Sequence, residues 1–199
     1  ESNREQFLFL NVTIKSVSLT KESAAFFLWK KGEAMFKEGD FIIYGSNGVC
    51  QVEHIGSMDL QGVPGDKMYY TLVPVYEEKS RLFTPVDNHK VVMRPVISKK
   101  EACELIDHMQ EMQVFEIQNE KNRDTVFKEA LKTGDCEELV RVIKTIYEKK
   151  QERKAQGKKV TAGDERYFKL AEEHLYGELA IALGIEKDKV SSYIEKRIA

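Results

Sequence analysis

The chain has 199 residues, 42 % hydrophobic and 32 % charged. That suits one large domain or two small ones and excludes the low-hydropathy class of disordered chains. Lys+Arg number 31 and Asp+Glu 33, a net charge of −2 with histidine neutral, so the protein is not a globally basic nucleic-acid binder, although a local basic patch stays open. No apolar run reaches the roughly 18 residues of a membrane-spanning helix.

Residues 1–34 read differently from the rest. Phe7-Leu8-Phe9-Leu10 is a short apolar run flanked by Glu1 and Glu5, which is the wrong flank for a secretory signal. A second cluster, Ala24 to Trp29, precedes Lys30-Lys31-Gly32-Glu33, and Met35 follows. Codons for Lys-Lys-Gly-Glu are purine-rich, as a bacterial ribosome-binding site is when translated. The pattern predicts a start at Met35, with residues 1–34 a non-native or disordered N-terminal extension. The alternative is a real arm with strand alternation around Val12–Leu19. A peptide from residues 5–30 in mass spectra of the native protein would exclude the first reading.

From Met35 the pattern changes to alternating runs broken by turn residues, expected for a small β domain over residues 35–97. The expected strands are Asp40–Tyr44, Val49–Ile55, Met68–Tyr76, Arg81–Val86 and Val91–Val96. Gly45-Ser46-Asn47-Gly48 predicts a hairpin, its Asn-Gly pair supplying the positive φ angles of a type I′ turn. Gly62, Pro64 and Gly65 mark a loop, and residues 77–80 a turn. Five short strands in this length predict a small SH3/Tudor-like β-barrel. Such a barrel leaves edges that bind by strand addition unless they are blocked. His54 and His89 are isolated and are expected as surface or packed histidines.

Residues 98–199 read as an all-α helical bundle. Ser98-x-x-Glu101 is a capping box, opening a helix with Leu105, Ile106, Met109 and Met112 at helical spacing. A second helix carries Val126, Phe127, Ala130 and Leu131 and stops at Gly134. Asp135-x-x-Glu138 opens a third, whose stripe is Leu139, Val142, Ile143, Ile146 and Tyr147, ending towards Gly157. Thr161-x-x-Asp164 opens a fourth, with Tyr167, Phe168, Leu170, Ala171, Leu175, Leu179 and Leu183, ending at Gly184. A fifth holds Val190, Tyr193, Ile194 and Ile198. The expected fold class is α+β: the barrel followed by a compact bundle of antiparallel helices.

Eight basic residues, Arg141, Lys144, Lys149, Lys150, Arg153, Lys154, Lys158 and Lys159, face only Glu148 and Glu152 between positions 141 and 159. Two readings stand: a solvated helix end favoured by its own dipole, or a contact to a phosphate backbone. No phosphate loop, dinucleotide fingerprint, nucleophile elbow or zinc-protease motif occurs. Cys50, Cys103 and Cys136 form no metal-spaced set and are expected as buried or half-buried thiols in a reducing cytoplasm. No metal, cofactor, small-molecule ligand or catalytic residue is expected.

The stretch Met35-Phe-Lys-Glu-Gly-Asp-Phe-Ile-Ile-Tyr-Gly-Ser-Asn-Gly-Val resembles the opening of the CarD/CdnL family of bacterial transcription regulators. The resemblance continues through Gly62, Tyr69-Tyr70, Thr84-Pro85-Val86-Asp87-Asn88 and Arg94-Pro95-Val96. It reaches into the helices at Arg123, Leu131 to Asp135, Val142–Tyr147, Thr161 to Arg166 and Gly177-Glu178-Leu179-Ala180. The same small β module occurs in the transcription-repair coupling factor, which lacks the helical part.

The resemblance implies that the barrel binds the RNA polymerase β subunit by strand pairing. Met58, Leu60, Arg81 and Phe83 match the polymerase-contacting strands, with Phe83 where an arginine is common. It also implies that the helical domain contacts promoter DNA, without sequence specificity, at the upstream edge of the −10 melted region and modulates open-complex stability. Many members insert a tryptophan there. The helical region has none, since the chain's single Trp is Trp29. Phe115 is the aromatic in the corresponding stretch, either a wedge or a cap on the core. Arg123, Lys149, Lys150 and Arg166 match basic DNA-contacting positions. The alternative function is a polymerase-binding adaptor whose helical domain holds another protein.

Overall fold

A computed structural model describes residues 35–57, 67–77, 80–117 and 119–198. The expectations for residues 1–34, and for Met58 and Leu60, lie outside the described residues. From Phe36 onward the chain forms one compact unit, an antiparallel sheet followed by five helices among the described residues.

The strands are β1 (Phe41–Tyr44), β2 (Val49–Ser57), β3 (Met68–Pro74), β4 (Leu82–Pro85) and β5 (Met93–Pro95). They lie in the order β4-β3-β2-β1-β5, every pairing antiparallel. Alternation decides which face is buried: along β3, Tyr70, Leu72 and Pro74 turn inward while Tyr69, Thr71 and Val73, on the other face, stay partly exposed. Tyr70 and Leu72 join Ile42, Cys50 and Val52 in the sheet's core, and the Phe36 ring packs tilted against Tyr70 at 5.9 Å. A bulge at Glu53 in β2 is held by Glu38, whose carboxylate accepts from Ile55 N at 2.9 Å and lies 2.7 Å from His54 Nδ1.

The hairpin between β1 and β2 departs from the expected type I′ turn. Residues 45–47 form a short 3-10 turn, and the positive φ angles fall on Gly45 (47°) and Gly48 (67°), not on Asn47. A type I′ turn uses two consecutive residues of positive φ. Here one glycine sits at each end of a four-residue loop, closed by Tyr44 N donating to Gly48 O at 3.0 Å.

The helices are α1 (Lys99–His108), α2 (Arg123–Thr133), α3 (Cys136–Ala155), α4 (Ala162–Leu183) and α5 (Val190–Ile198). Their ends follow local chemistry. Ser98 and Glu101 form the capping box, Asp135 caps α3, Thr161 caps α4, and left-handed Gly134 and Gly184 close α2 and α4. The core gathers Ala102, Ile106, Phe127, Leu139, Val142, Ile146, Ala171, Leu175 and Leu179. Cys50 and Cys136 are buried and Cys103 is half-buried, as the sequence suggests.

Two positions differ from the sequence reading. Helix α1 ends before Met112, because Lys144 Nζ donates to the carbonyls of Met109 (3.2 Å), Gln110 (2.8 Å) and Met112 and so holds the chain that leaves the helix. Tyr147, read as part of the core stripe, is 55 % exposed. Among the described residues no helix is long and apolar enough to cross a membrane.

Sheet and helices are joined by a buried hub. Arg94 of β5 reaches Glu178 of α4 with both terminal guanidinium nitrogens, Nη1 to Oε1 and Nη2 to Oε2 at 2.7 Å, and also donates to Gly134 O. Glu178, 1 % exposed at its side chain, accepts further from Ile97 N at 3.0 Å and Cys136 Sγ at 3.1 Å. Burial pulls the Arg94 pKa down, but the hydrogen bonds and charge of Glu178 outweigh it and raise the value. Beside the hub, Tyr76 donates to Gly177 O at 3.0 Å, and a Cβ on Gly177 would stand 2.8 Å from the Tyr76 ring. Only glycine lets the ring approach that closely.

Candidate polymerase and nucleic-acid interfaces

Strand β4 is one edge of the sheet. Its inner side pairs with β3 (Thr71 opposite Phe83, Tyr70 opposite Thr84), and among the described residues no strand pairs with its outer side. The alternation turns Thr84 into the core, where Asn88 donates to its hydroxyl at 2.8 Å, and leaves Phe83 50 % exposed. The opposite edge is different. Strand β5 is three residues long, ends in Pro95, which has no N–H to donate, and points Arg94 into the helices. The two edges are therefore unequal, and β4 is the one with an exposed aromatic.

Arg81, just before β4, forms a two-pronged pair with Glu53: Nε to Oε2 at 2.6 Å and Nη2 to Oε1 at 2.8 Å. The guanidinium lowers the Glu53 pKa, and the carboxylate raises that of Arg81. Both side chains are largely exposed. Solvent screens such an exposed pair, so it adds little net stability and a partner's carboxylate can take it over at small cost.

The two sequence models for these regions agree with this architecture. That of the CarD-like/TRCF RID domain matches residues 36–97, and that of the CarD C-terminal domain matches residues 104–195. The chain belongs to the CarD/CdnL family. Members are RNA polymerase-interacting, non-catalytic transcription regulators, and the sheet corresponds to the polymerase-interacting module.

In this CarD-family chain the basic candidates divide by environment. Arg123, at the start of α2, lies 3.2 Å from Asp164 in the first turn of α4, a pair whose side chains are 19 % and 2 % exposed. Arg166 is exposed and lies over the Tyr167 ring at 5.0 Å. Tyr167 in turn donates to Asp124, which also binds Lys128. The first turns of α2 and α4 are thus tied together, bringing Arg123 and Arg166 to one place. Lys149 is half-buried and Lys150 exposed, both in the C-terminal half of α3. The short link from α3 to α4 puts that half at the same end of the helical hairpin as Arg166.

Other members of the basic run hold the fold. Lys144 fastens the chain after α1. Arg141 binds Glu138 at 2.8 Å and Gln113 O at 3.2 Å, and Arg153 Nε donates to Lys159 O at 2.8 Å. Phe115 is half-buried, covered by the Arg141 guanidinium at 4.1 Å and set against Phe127 at 6.3 Å, which meets Tyr167 at 5.7 Å. Its N–H donates to Thr145 Oγ1 at 2.9 Å. Of the two roles the sequence leaves open for Phe115, this packing favours the cap on the core.

Sequence reasoning missed the Arg94–Glu178 hub and the exposure of Tyr147. A signal for the first was present: a glutamate inside the apolar stretch Leu175 to Leu183 of a buried helix requires a cationic partner. For the second no local signal exists, because Tyr147 continues the apolar stripe and only the neighbours of α3 determine where that stripe leaves the core.

Proposed function

We propose that the protein moors to the RNA polymerase β subunit through the outer side of β4 and contacts promoter DNA with the basic end of the helical region. The DNA contact lies at the upstream edge of the −10 region and modulates open-complex stability. The observation that carries this reading is the β4 edge, unpaired among the described residues and with Phe83 exposed, inside the module matched to a polymerase-interacting domain. Strand addition supplies affinity through main-chain hydrogen bonds, and the side chains that alternate outward supply specificity. Phe83 then fills a pocket on the polymerase, and Arg81 exchanges Glu53 for an acid of the partner.

Lys150, Lys154 and Arg166 would meet phosphates, giving affinity that falls steeply with salt and carries little base readout. A factor that binds melted promoter more tightly than closed promoter shifts the equilibrium towards the open complex by that difference in affinity. Because the hub fixes the sheet to the helices, mooring at β4 also orients the basic end. Capture of the β subunit by the full chain tests the mooring. Phe83→Glu should abolish capture with the melting curve unchanged, and a Phe83→Glu chain that captures as well as the parent would refute it.

A further inference from the structure

We propose that Tyr147 is a stacking platform for an unpaired base of single-stranded DNA, with Lys150 and Lys154 gripping the adjacent phosphates. This rests on the DNA reading given above and names the strand state and the residue that reads it. Among the described residues Tyr147 is the only large hydrophobic side chain of the helical region that is mostly exposed. The other aromatic in contention, Phe115, lies between Arg141 and Phe127 with its ring occupied.

Helical geometry puts Lys150 and Lys154, three and seven residues on, along the same face as Tyr147, a track of about 10 Å. Both lysines are exposed. One turn earlier the same face carries Ile143 and Lys144, which line an apolar groove with Val140 and Tyr176. Tyr147 therefore stands where α3 emerges from its packing partners, an aromatic ring followed by two cations.

Charge and ring together select the occupant. A duplex offers phosphates but no base faces, because its bases are stacked on each other. A single strand offers both, and an aromatic ring beside a cationic track is the general solution for holding one without reading its sequence. A protein partner would account for the ring but leaves the two cations in line with it unexplained. On a promoter the platform favours the melted state only, since closed DNA has no base to give it.

Fluorescence anisotropy of the full chain with a labelled oligothymidylate and with a duplex of equal length tests this. Tyr147→Ala should weaken single-strand binding by about fivefold or more and leave duplex binding unchanged, while Tyr147→Phe keeps the single-strand affinity. The double change Lys150→Gln/Lys154→Gln should lower the salt slope on the single strand by about 1.4. A Tyr147→Ala chain that binds single strands as the parent does, or that loses duplex binding equally, overturns the platform alone. A parent chain that binds neither DNA overturns the DNA reading above and the platform with it.

Discussion

Removing Arg94 strands a carboxylate that is almost wholly buried. Glu178 is 1 % exposed and keeps, after Arg94→Ala, only the Ile97 N–H and the Cys136 thiol as donors. Gly134 O loses its guanidinium donor as well. Breaking a buried pair by deleting one partner costs about 3–5 kcal/mol, because the remaining charge is desolvated without compensation. At about 2–4 °C per kcal/mol for a chain of this size, the midpoint should fall by about 6–20 °C. The double change Arg94→Met/Glu178→Leu removes both charges and refills the volume. It should therefore be more stable than Arg94→Ala, with a coupling of at least about 2 kcal/mol between the sites. Thermal melting reads the midpoint, and urea unfolding of the full chain at neutral pH, followed by far-ultraviolet circular dichroism, compares the parent, Arg94→Ala, Arg94→Met, Glu178→Leu and the double change, which closes the cycle. A loss below about 1 kcal/mol for Arg94→Ala, or effects that simply add, would refute the account of the hub.

Phe115→Ala should cost about 2 kcal/mol, less than the 3–5 of a fully buried phenylalanine, because the ring is half-buried under Arg141. Thermal melting checks this, and a parental midpoint would show that the ring does not support the core. His174 supplies a pH dependence. Burial holds its pKa below the ordinary 6.5, outweighing Glu173 and Glu77, which raise it, while Lys187 also lowers it. The folded state thus takes up fewer protons than the unfolded chain, so the stability from His174 is complete above about pH 6.5 and is lost as the pH falls towards the folded value. Its Nδ1 is buried with no hydrogen-bond partner among the described residues, and the ring lies 3.2 Å from where a Cβ on Gly48 would be. Urea midpoints across that window should decline on acidification in the parent and decline less in His174→Gln; equal slopes would assign the effect to another group.

Much of the fold is local in origin and can be read from the amino-acid sequence alone. Ser98 with Glu101, Asp135, Thr161, Gly134 and Gly184 mark helix ends through hydrogen bonds that span a few residues, so helix limits follow from composition at those positions. Strand alternation likewise identifies Tyr70, Leu72 and Thr84 as inward and Phe83 as outward, because the period of a strand is 2 whatever it packs against. What the tertiary structure decided lies where distant segments meet. The β1–β2 turn places its positive φ angles at Gly45 and Gly48, where the loop packs against Val91 and His174, rather than at the Asn-Gly pair that local preference favours. Arg141 and Lys144 look like members of a phosphate-binding run, yet the chain after α1 comes close enough to recruit them as structural donors. Arg94 and Glu178 are 84 residues apart, and Tyr147 differs from Ile146 only in which neighbour α3 meets at that turn. Hydrogen-bonding and periodic preferences act along the chain, whereas burial of charge and exposure of a ring depend on which surfaces the folded chain brings together.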